Sequence, residues 1–186
     1  MTIHLVLGGA RSGKSRFAEA QIRSLCEAGN AALGSEVVKK HYIATATHLD
    51  QEMASRIAHH QAQRVGEGWH LHECPTELSE QLVHFGQYDV VLIDCLTLWL
   101  NNVIYNGGET LSDENTQQRV AQLVMSIQRC RADIVLVSNE VGLGVVPLGE
   151  ISRRFVDHAG WMNQAIAQVA DKVTLVAAGL PISLKS

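Results

Sequence analysis

The stretch that most constrains this chain is Gly-Gly-Ala-Arg-Ser-Gly-Lys-Ser at residues 8–15. It follows an apolar run at 3–7 and precedes a helix-like stretch that begins near Arg16. A buried strand that enters a glycine-rich turn and then a helix points several backbone N–H groups inward, beside the positive end of the helix dipole. The pattern therefore predicts a phosphate-binding loop after the first strand of an α/β fold.

Individual positions of this loop have separate expected roles. Gly8 and Gly13 can take backbone angles closed to other residues, so the chain can wrap closely around phosphate oxygens. Lys14 would reach the β- and γ-phosphates, and the Ser15 hydroxyl would coordinate Mg²⁺. A solvated Gly-Ser turn is the alternative, and the flanking strand and helix disfavour it. The predicted nucleotide-binding loop comprises Gly8, Gly9, Ala10, Arg11, Ser12, Gly13, Lys14 and Ser15.

Composition narrows the class of protein. The chain has 186 residues, of which 46% are hydrophobic and 18% charged, so we expect one catalytic domain over 1–186. A net charge of −4 without a Lys/Arg run argues against binding of a nucleic-acid backbone. No apolar run approaches the ~20 residues of a spanning helix, and the chain enters its first strand without a basic region and cleavage site. We expect a cytoplasmic protein with no membrane span.

Strand and helix patterns alternate from end to end. A helix at 16–27 is predicted to end at the glycines of 29–34, before a second strand at 41–44. The other predicted strands are 69–73, 89–94, 134–137, 172–177 and 182–184, and the other helices are 50–64, 76–85, 96–105, 113–130 and 150–170. This order predicts one doubly wound, mostly parallel sheet in which a C-terminal hairpin supplies an antiparallel strand.

Two strand ends are candidates for the nucleotide site. Residues 44–47, Ala-Thr-Ala-Thr, follow the second strand, and residues just past the carboxyl end of a strand line the ligand crevice of an open α/β sheet. An ordinary strand-to-helix turn is the alternative. Asp94 ends a run of four apolar residues, as expected of a central strand that brings a metal-binding acid to the phosphates. Its alternative role is to cap the following helix.

The helix predicted after the second strand has a charged and titratable face. Glu52, Arg56, His60 and Arg64 lie at successive i, i+4 positions, and from spacing alone a salt-bridged solvent face is the better explanation. The adjacent His59 and the nearby strand end favour a different role. Histidine is a capable nucleophile toward phosphorus near neutral pH, because one ring nitrogen is free.

A polar strand end precedes a glycine-spaced apolar loop at 138–147. Such a loop is consistent with a mobile lid or a substrate wall. A long surface connection is the alternative.

Several of these segments resemble a known family. They are Gly-Gly-Ala-Arg-Ser-Gly-Lys-Ser (8–15), Tyr-Ile-Ala-Thr (42–45), Asp-Gln-Glu-Met-Ala-Ser-Arg-Ile-Ala-His-His (50–60), Val-Ser-Asn-Glu-Val-Gly-Leu-Gly-Val-Val-Pro (137–147) and Asn163-Gln164. Together they resemble the bifunctional adenosylcobinamide kinase and adenosylcobinamide-phosphate guanylyltransferase family of cobalamin biosynthesis, over nearly the whole chain. Many nucleotide enzymes share the loop, whereas the histidine-bearing helix and the Asn-Glu-Val-Gly segment are narrower signals.

The resemblance implies two reactions at one nucleotide site. The first phosphorylates the aminopropanol hydroxyl of adenosylcobinamide, and the second transfers GMP from GTP onto that phosphate through a guanylylated histidine. It assigns the catalytic roles to Lys14 and His60, with His59 as the fallback for the histidine. It also implies a RecA-like fold, a homotrimer, Mg²⁺, and GTP as substrate with ATP possible.

The resemblance also assigns nucleotide contacts outside the loop. These are Ala44, Thr45, Ala46, Gln61, Ala62, Gln63, Arg64, Glu73 and Asp94. Two departures from the family pattern are Trp161, where an arginine is expected, and a longer stretch at 26–40. A small-metabolite kinase without the transfer step is the second interpretation. A regulatory GTP-binding module is the third, and the lack of an Asn-Lys-x-Asp motif disfavours it.

Overall fold

The computed structural model describes residues 1–33, 37–47, 68–106, 108–145 and 147–186. In these ranges the strands are β1 (Ile3–Gly8), β2 (Lys39–Ala44), β3 (Trp69–Glu73), β4 (Asp89–Asp94), β5 (Tyr105–Asn106), β6 (Glu109–Thr110), β7 (Asp133–Asn139), β8 (Lys172–Ala177) and β9 (Leu180–Lys185). The helices are α1 (Lys14–Leu33), α2 (Leu78–Gln81), α3 (Leu96–Ile104), α4 (Asp113–Arg129) and α5 (Glu150–Val169), and a 3₁₀ turn, Leu82–His84, follows α2.

Seven of these strands form one sheet in the order β3-β2-β4-β7-β1-β8-β9. The β8–β9 pair is antiparallel and the other pairs are parallel. Strands β5 and β6 form a separate antiparallel pair. The prediction of a mostly parallel α/β sheet with a C-terminal antiparallel strand is therefore confirmed. The sequence did not predict that β7 lies between β1 and β4.

Helices cover both faces of the sheet. On one face α1 buries Ala18 and Ile22 against β1, β4, β7 and β8. On the other face α2, α3, α4 and α5 bury the larger apolar cluster, which includes Trp99 and Leu123. Because successive strand residues point to opposite faces, a residue's parity along its strand tells which cluster it joins.

Helix α1 is longer than predicted, because it continues through Gly29 to Leu33. A Cβ at position 29 would lie 2.6 Å from Cγ2 of Val38, so glycine here permits close packing of the helix against the segment before β2. The Val38 N–H also donates to Oδ1 of Asn30 at 2.8 Å. Gly29 is therefore a packing position, and the prediction that the helix ends there was wrong.

Other boundaries differ by a few residues. The helix predicted at 76–85 is shorter and ends in the 3₁₀ turn, after which Phe85 is extended. Its apolar positions Leu78 and Leu82 are fully buried. The short strands β5 and β6, which were not predicted, pair with each other, and β7 continues to Asn139.

One predicted element cannot be compared with the structure. The helix expected at 50–64 lies outside the described residues. None of the described helices is both long and apolar enough to span a membrane.

Candidate active site

Five neighbouring strands end in a row at the carboxyl edge of the sheet. The last residues of β1, β7, β4, β2 and β3 are Gly8, Asn139, Asp94, Ala44 and Glu73. Gly8 pairs with Asn139, Asp94 with Ala44, and Ala44 with Glu73. By strand parity all five lie on the face that carries α1, because residues two or four positions earlier in the same strands pack in the α1 cluster.

The connection from β1 to α1 is a tight, well-anchored loop. Ser12 N–H donates to the Gly9 carbonyl at 3.3 Å, and Gly179 N–H donates to the Ser12 carbonyl at 2.8 Å. Arg11 and Gly13 have positive φ values of 56° and 95°. The loop is thereby folded back on itself and held against the β8–β9 turn.

Two glycines of this loop lie where a side chain would not fit. A Cβ on Gly8 would lie 2.6 Å from the Val176 carbonyl oxygen and 2.4 Å from Ser12 Oγ. Gly13 has a positive φ, and a Cβ added to it would lie 3.3 Å from the Cα of Gly179. A positive φ strains residues other than glycine. These contacts give a physical reason for glycine at both positions.

The start of α1 presents donors to the edge of the sheet. Phe17 N–H makes a helical bond to the Gly13 carbonyl at 3.0 Å, and an α-helix leaves its first N–H groups without internal partners. Lys14 Nζ donates to the Gly9 carbonyl at 3.1 Å. Ser12 Oγ is buried with no hydrogen-bond partner among the described residues. This arrangement of donors can bind an anion.

Asp94 lies at the same edge of the sheet as Lys14 and is not the N-cap of the helix after it. The N-cap of α3 is Cys95, and no side chain accepts a capping bond there. Burial, with a smaller contribution from the Asp94 carboxylate, raises the pKa of the Cys95 thiol to about 12, against the opposing effect of the Lys14 ammonium. Both charged groups therefore lie within electrostatic range of this thiol. The capping alternative is not supported.

Thr45 fixes the edge between β2 and α3. Its Oγ1 donates to the Cys95 carbonyl at 2.7 Å and accepts from the Cys95 N–H at 2.8 Å. Its own carbonyl accepts from Asn102 Nδ2 at 2.8 Å. Thr45 is fully buried, so its hydrogen bonds hold the end of β2 against the start of α3. Ala44 and Ala46 are its neighbours in sequence.

A second group of buried polar side chains surrounds Asn139. Thr97 Oγ1 accepts from the Asn139 N–H at 2.7 Å, and Asn163 Nδ2 donates to the Asn139 carbonyl at 3.3 Å. Sequence reasoning named Asn139 and Asn163 only as parts of separate family motifs and did not single out Thr97. The available signals were a threonine among the apolar residues of 96–100 and an asparagine on the buried face of α5.

The remaining predicted residues are distributed unevenly. Glu73 is exposed at the end of β3, four strand spacings or roughly 19 Å from Gly8, so it can only contact a part of the nucleotide far from the loop. His59, His60 and the segment 61–64 lie outside the described residues. Their distance from Lys14 therefore stays untested.

Away from the phosphate loop, a cleft of about 680 Å³ lies between Thr76, the β5–β6 pair and the first half of α4. It is lined by none of the predicted site residues. The candidate site is formed by the strand ends and the start of α1.

Comparison with known proteins agrees with this geometry. Residues 4–184 match the family described as cobinamide kinase / cobinamide phosphate guanyltransferase. The chain is 46% identical over 182 residues to the bifunctional adenosylcobalamin biosynthesis protein CobP of Pseudomonas aeruginosa, covering 97% of this chain and 96% of that one. It is 41% identical over 192 residues to the bifunctional adenosylcobalamin biosynthesis protein CobU of Escherichia coli, covering 97% and 98%. With matches of this extent, the chain belongs to the cobinamide kinase / cobinamide phosphate guanyltransferase family.

Proposed function

We propose that this protein phosphorylates the aminopropanol hydroxyl of adenosylcobinamide and then transfers GMP from GTP to adenosylcobinamide-phosphate. The products of the second step are adenosylcobinamide-GDP and pyrophosphate. The observation that carries the proposal is the start of α1, which can bind an anion, with Asp94 at the same edge of the sheet, in a chain that belongs to this family. Each step consumes its own nucleoside triphosphate, and we propose that the same site binds both in turn.

In the first step the hydroxyl oxygen attacks the γ-phosphorus of the nucleotide. A bond forms between these two atoms, the bond from the γ-phosphorus to the β–γ bridging oxygen breaks, the nucleoside diphosphate leaves, and the hydroxyl proton is released to solvent. Lys14 would exchange the Gly9 carbonyl for the β- and γ-phosphate oxygens. Preorganised donors of this kind stabilise charge that develops in the transition state. GTP is the proposed donor, and ATP is possible.

The donor set suits Mg²⁺ bound with the nucleotide. Ser15, in the first turn of α1, and Asp94, at the end of β4, supply a hydroxyl and a carboxylate oxygen, the hard ligands that Mg²⁺ prefers in nucleotide sites. The ion would neutralise charge on the phosphates. Within the described residues, no three His, Cys, Asp or Glu side chains converge to hold a metal ion.

In the second step a histidine nitrogen attacks the α-phosphorus of GTP, and pyrophosphate leaves. The phosphate of adenosylcobinamide-phosphate then attacks the same phosphorus and releases the histidine. We assign this role to His60, with His59 as the alternative, on sequence spacing and resemblance. Gln61, Ala62, Gln63 and Arg64 follow it and are proposed nucleotide contacts.

Further features of the proposal concern the whole molecule. The position of β7 between β1 and β4 supports a RecA-like phosphate-loop fold. We propose a single catalytic domain, a cytoplasmic location and a homotrimer, on composition and resemblance. The alternative function is a small-metabolite kinase that lacks the transfer step.

Labelled GTP separates these functions. Purified protein is incubated with adenosylcobinamide and with either γ-labelled or α-labelled GTP. The proposal requires γ-label on the corrinoid, acid-labile α-label on the protein, and α-label on the corrinoid after the second step. Corrinoid γ-label without protein-bound α-label would indicate the kinase alone. No transfer of either label would refute the proposal.

A further inference from the structure

The backbone of Asn139 is held from three directions. Its N–H donates to Thr97 Oγ1 at 2.7 Å, and its carbonyl accepts from Asn163 Nδ2 at 3.3 Å. The next N–H, that of Glu140, donates to the Gly8 carbonyl at 3.2 Å. The last residue of β7 is therefore fixed against the strand that leads into the phosphate loop.

The groups that hold Asn139 are themselves buried. Thr97 and Asn163 are each 5% exposed, and Ser138, whose Oγ lies 3.3 Å from Thr97 Oγ1, is fully buried. Asn163 Oδ1 has no hydrogen-bond partner among the described residues. Burial of polar groups is unfavourable unless they are well satisfied, so two buried side chains directed at one backbone residue indicate that its position matters.

The side chain of Asn139 remains available at the edge of the sheet. Residue 139 has the parity of Val135 and Val137, which pack in the α1 cluster, so it lies on the face where α1 begins with Lys14. It is half-buried. Val137 pairs with Asp94, and sheet spacings then separate the Cα atoms of Asn139 and Asp94 by roughly 8 Å.

We propose that Asn139 is a catalytic residue of the phosphoryl transfer, whose amide Nδ2 donates a hydrogen bond to an oxygen of the γ-phosphoryl group. Thr97 and Asn163 are positioning residues that act through it. This inference rests on the proposed function. The γ-phosphate lies between the loop on β1 and Asp94 on β4, and β7 is the strand between them. A fixed neutral donor there strengthens its bond as charge spreads over the γ-oxygens.

The test separates phosphorylation from guanylylation. For Asn139→Ala we expect kcat for phosphorylation of adenosylcobinamide by γ-labelled GTP to fall about 10²-fold, with KM for GTP changed less than about threefold. Formation of protein-bound label from α-labelled GTP should fall less than about tenfold, because the α-phosphate lies farther along the nucleotide. Asn139→Asp should lose as much phosphorylation, since its carboxylate repels the phosphate. A kcat for Asn139→Ala within about threefold of wild type would overturn the inference.

The positioning residues are tested by a conservative pair. Thr97→Val removes the acceptor of the Asn139 N–H and keeps the shape, so kcat for phosphorylation should fall about tenfold, while Thr97→Ser should restore it. Asn163→Ala should lower the same kcat with little change in KM, and it serves in place of Thr97→Val if that variant does not fold. Equal kcat losses in Thr97→Val and Thr97→Ser would refute the positioning role.

Two controls distinguish the possible failures. Asn115→Ala changes an exposed asparagine of α4 and should leave both activities at wild-type level. If the wild-type protein transfers no γ-label to adenosylcobinamide, the proposed function fails. If it does, and Asn139→Ala matches it, the inference about Asn139 fails alone.

Discussion

The Lys14 ammonium group donates a hydrogen bond to the carbonyl oxygen of Gly9, 3.1 Å away in the same loop. The lysine is thereby held over the turn whose N–H groups are directed at the edge of the sheet. A hydrogen bond to a charged donor contributes about 1.5–3 kcal/mol, so a neutral carbonyl is a modest competitor for a triphosphate. We expect the nucleotide to displace this contact.

Replacement of Lys14 should therefore abolish both activities. In Lys14→Ala the triphosphate loses a cation aimed at its β- and γ-oxygens, and removal of such a donor typically lowers kcat by ~10²-fold or more. The measurement is label transfer from γ-labelled and α-labelled GTP. Arg129→Ala, which removes an exposed cation in the last turn of α4, is the matched control. Near-normal phosphorylation by Lys14→Ala would show that the loop is not the catalytic site.

The negative charge of Asp94 should be needed for both activities, whereas its ability to cap a helix should not affect the free energy of unfolding. Asp94→Asn keeps a side-chain oxygen, and the N-cap of α3 is Cys95 in any case, so the free energy of unfolding should change by less than about 0.5 kcal/mol. Both activities should fall at least about tenfold, with partial recovery at high Mg²⁺. Urea unfolding and the two label assays measure these quantities. Full activity of Asp94→Asn would exclude an essential charge.

His60, and not His59, should carry GMP. In the predicted helix His60 shares a face with Arg56 and Arg64, which can neutralise the α-phosphate while pyrophosphate leaves. His60→Ala should lose acid-labile label from α-labelled GTP and retain some kinase activity, while His59→Ala should keep the label. Label that persists in His60→Ala and vanishes in His59→Ala would reverse the assignment.

Two adjacent glycines of the loop should differ in their tolerance of alanine. A Cβ on Gly8 would lie 2.6 Å from the backbone oxygen of Val176, whereas one on Gly9 would meet nothing within 4 Å. Gly8→Ala should lower the free energy of unfolding by about 1–3 kcal/mol, as over-packing does. Gly9→Ala should be within about 0.5 kcal/mol of wild type. Urea unfolding of the two variants is the measurement, and equal stabilities would contradict the crowding at Gly8.

Local features of the fold could be predicted from the sequence because they depend on short-range patterns. The loop at 8–15 and the apolar run before Asp94 define their strands and strand ends without any knowledge of neighbours. Strand order depends on long-range pairing, and no local pattern indicates that β7 lies between β1 and β4. For the same reason the position of Asn139 beside Gly8 could not be predicted.

Contacts between residues distant in sequence were the other limit of sequence reasoning. The sequence did not indicate that the Thr45 hydroxyl is engaged with the Cys95 backbone, and the contact of Thr45 with nucleotide stays a prediction. Gly29 was expected to end a helix, yet it permits the contact with Val38. In each case the role is set by a partner distant in sequence, which a periodic pattern does not contain.

A series of partly buried hydrogen bonds runs from β4 across β2 and β3 to α2, away from the candidate site. Asp89 Oδ1 lies 3.0 Å from His41 Nε2, His41 Nδ1 lies 3.0 Å from His72 Nε2, and Gln81 Nε2 lies 3.4 Å from His72 Nδ1. A carboxylate only accepts, so His41 donates from Nε2 and accepts at Nδ1 from His72. His72 then accepts from the Gln81 amide. Both histidines are satisfied in their neutral forms.

The free energy of unfolding should therefore fall at pH values low enough to protonate His41 and His72 in the unfolded protein. Burial lowers the pKa of His41, as do His70 and Lys39, against the opposing effect of Asp89; burial also lowers the pKa of His72. The unfolded chain takes up these protons near the ordinary pKa of about 6.5 while the folded protein does not.

The free energy of unfolding should thus be fully retained above about pH 6.5 and decrease as the pH falls from there toward the lowered pKa values of the folded state. Urea unfolding between pH 7.5 and 5.5 measures the slope. His72→Gln keeps a donor and an acceptor, so this variant should fold and show a shallower slope. His84→Gln replaces an exposed histidine and is the control, expected to match wild type. If the free energy of unfolding of the wild type does not change over this pH range, or if the slope is unchanged in His72→Gln, the assignment of neutral His41 and His72 is contradicted.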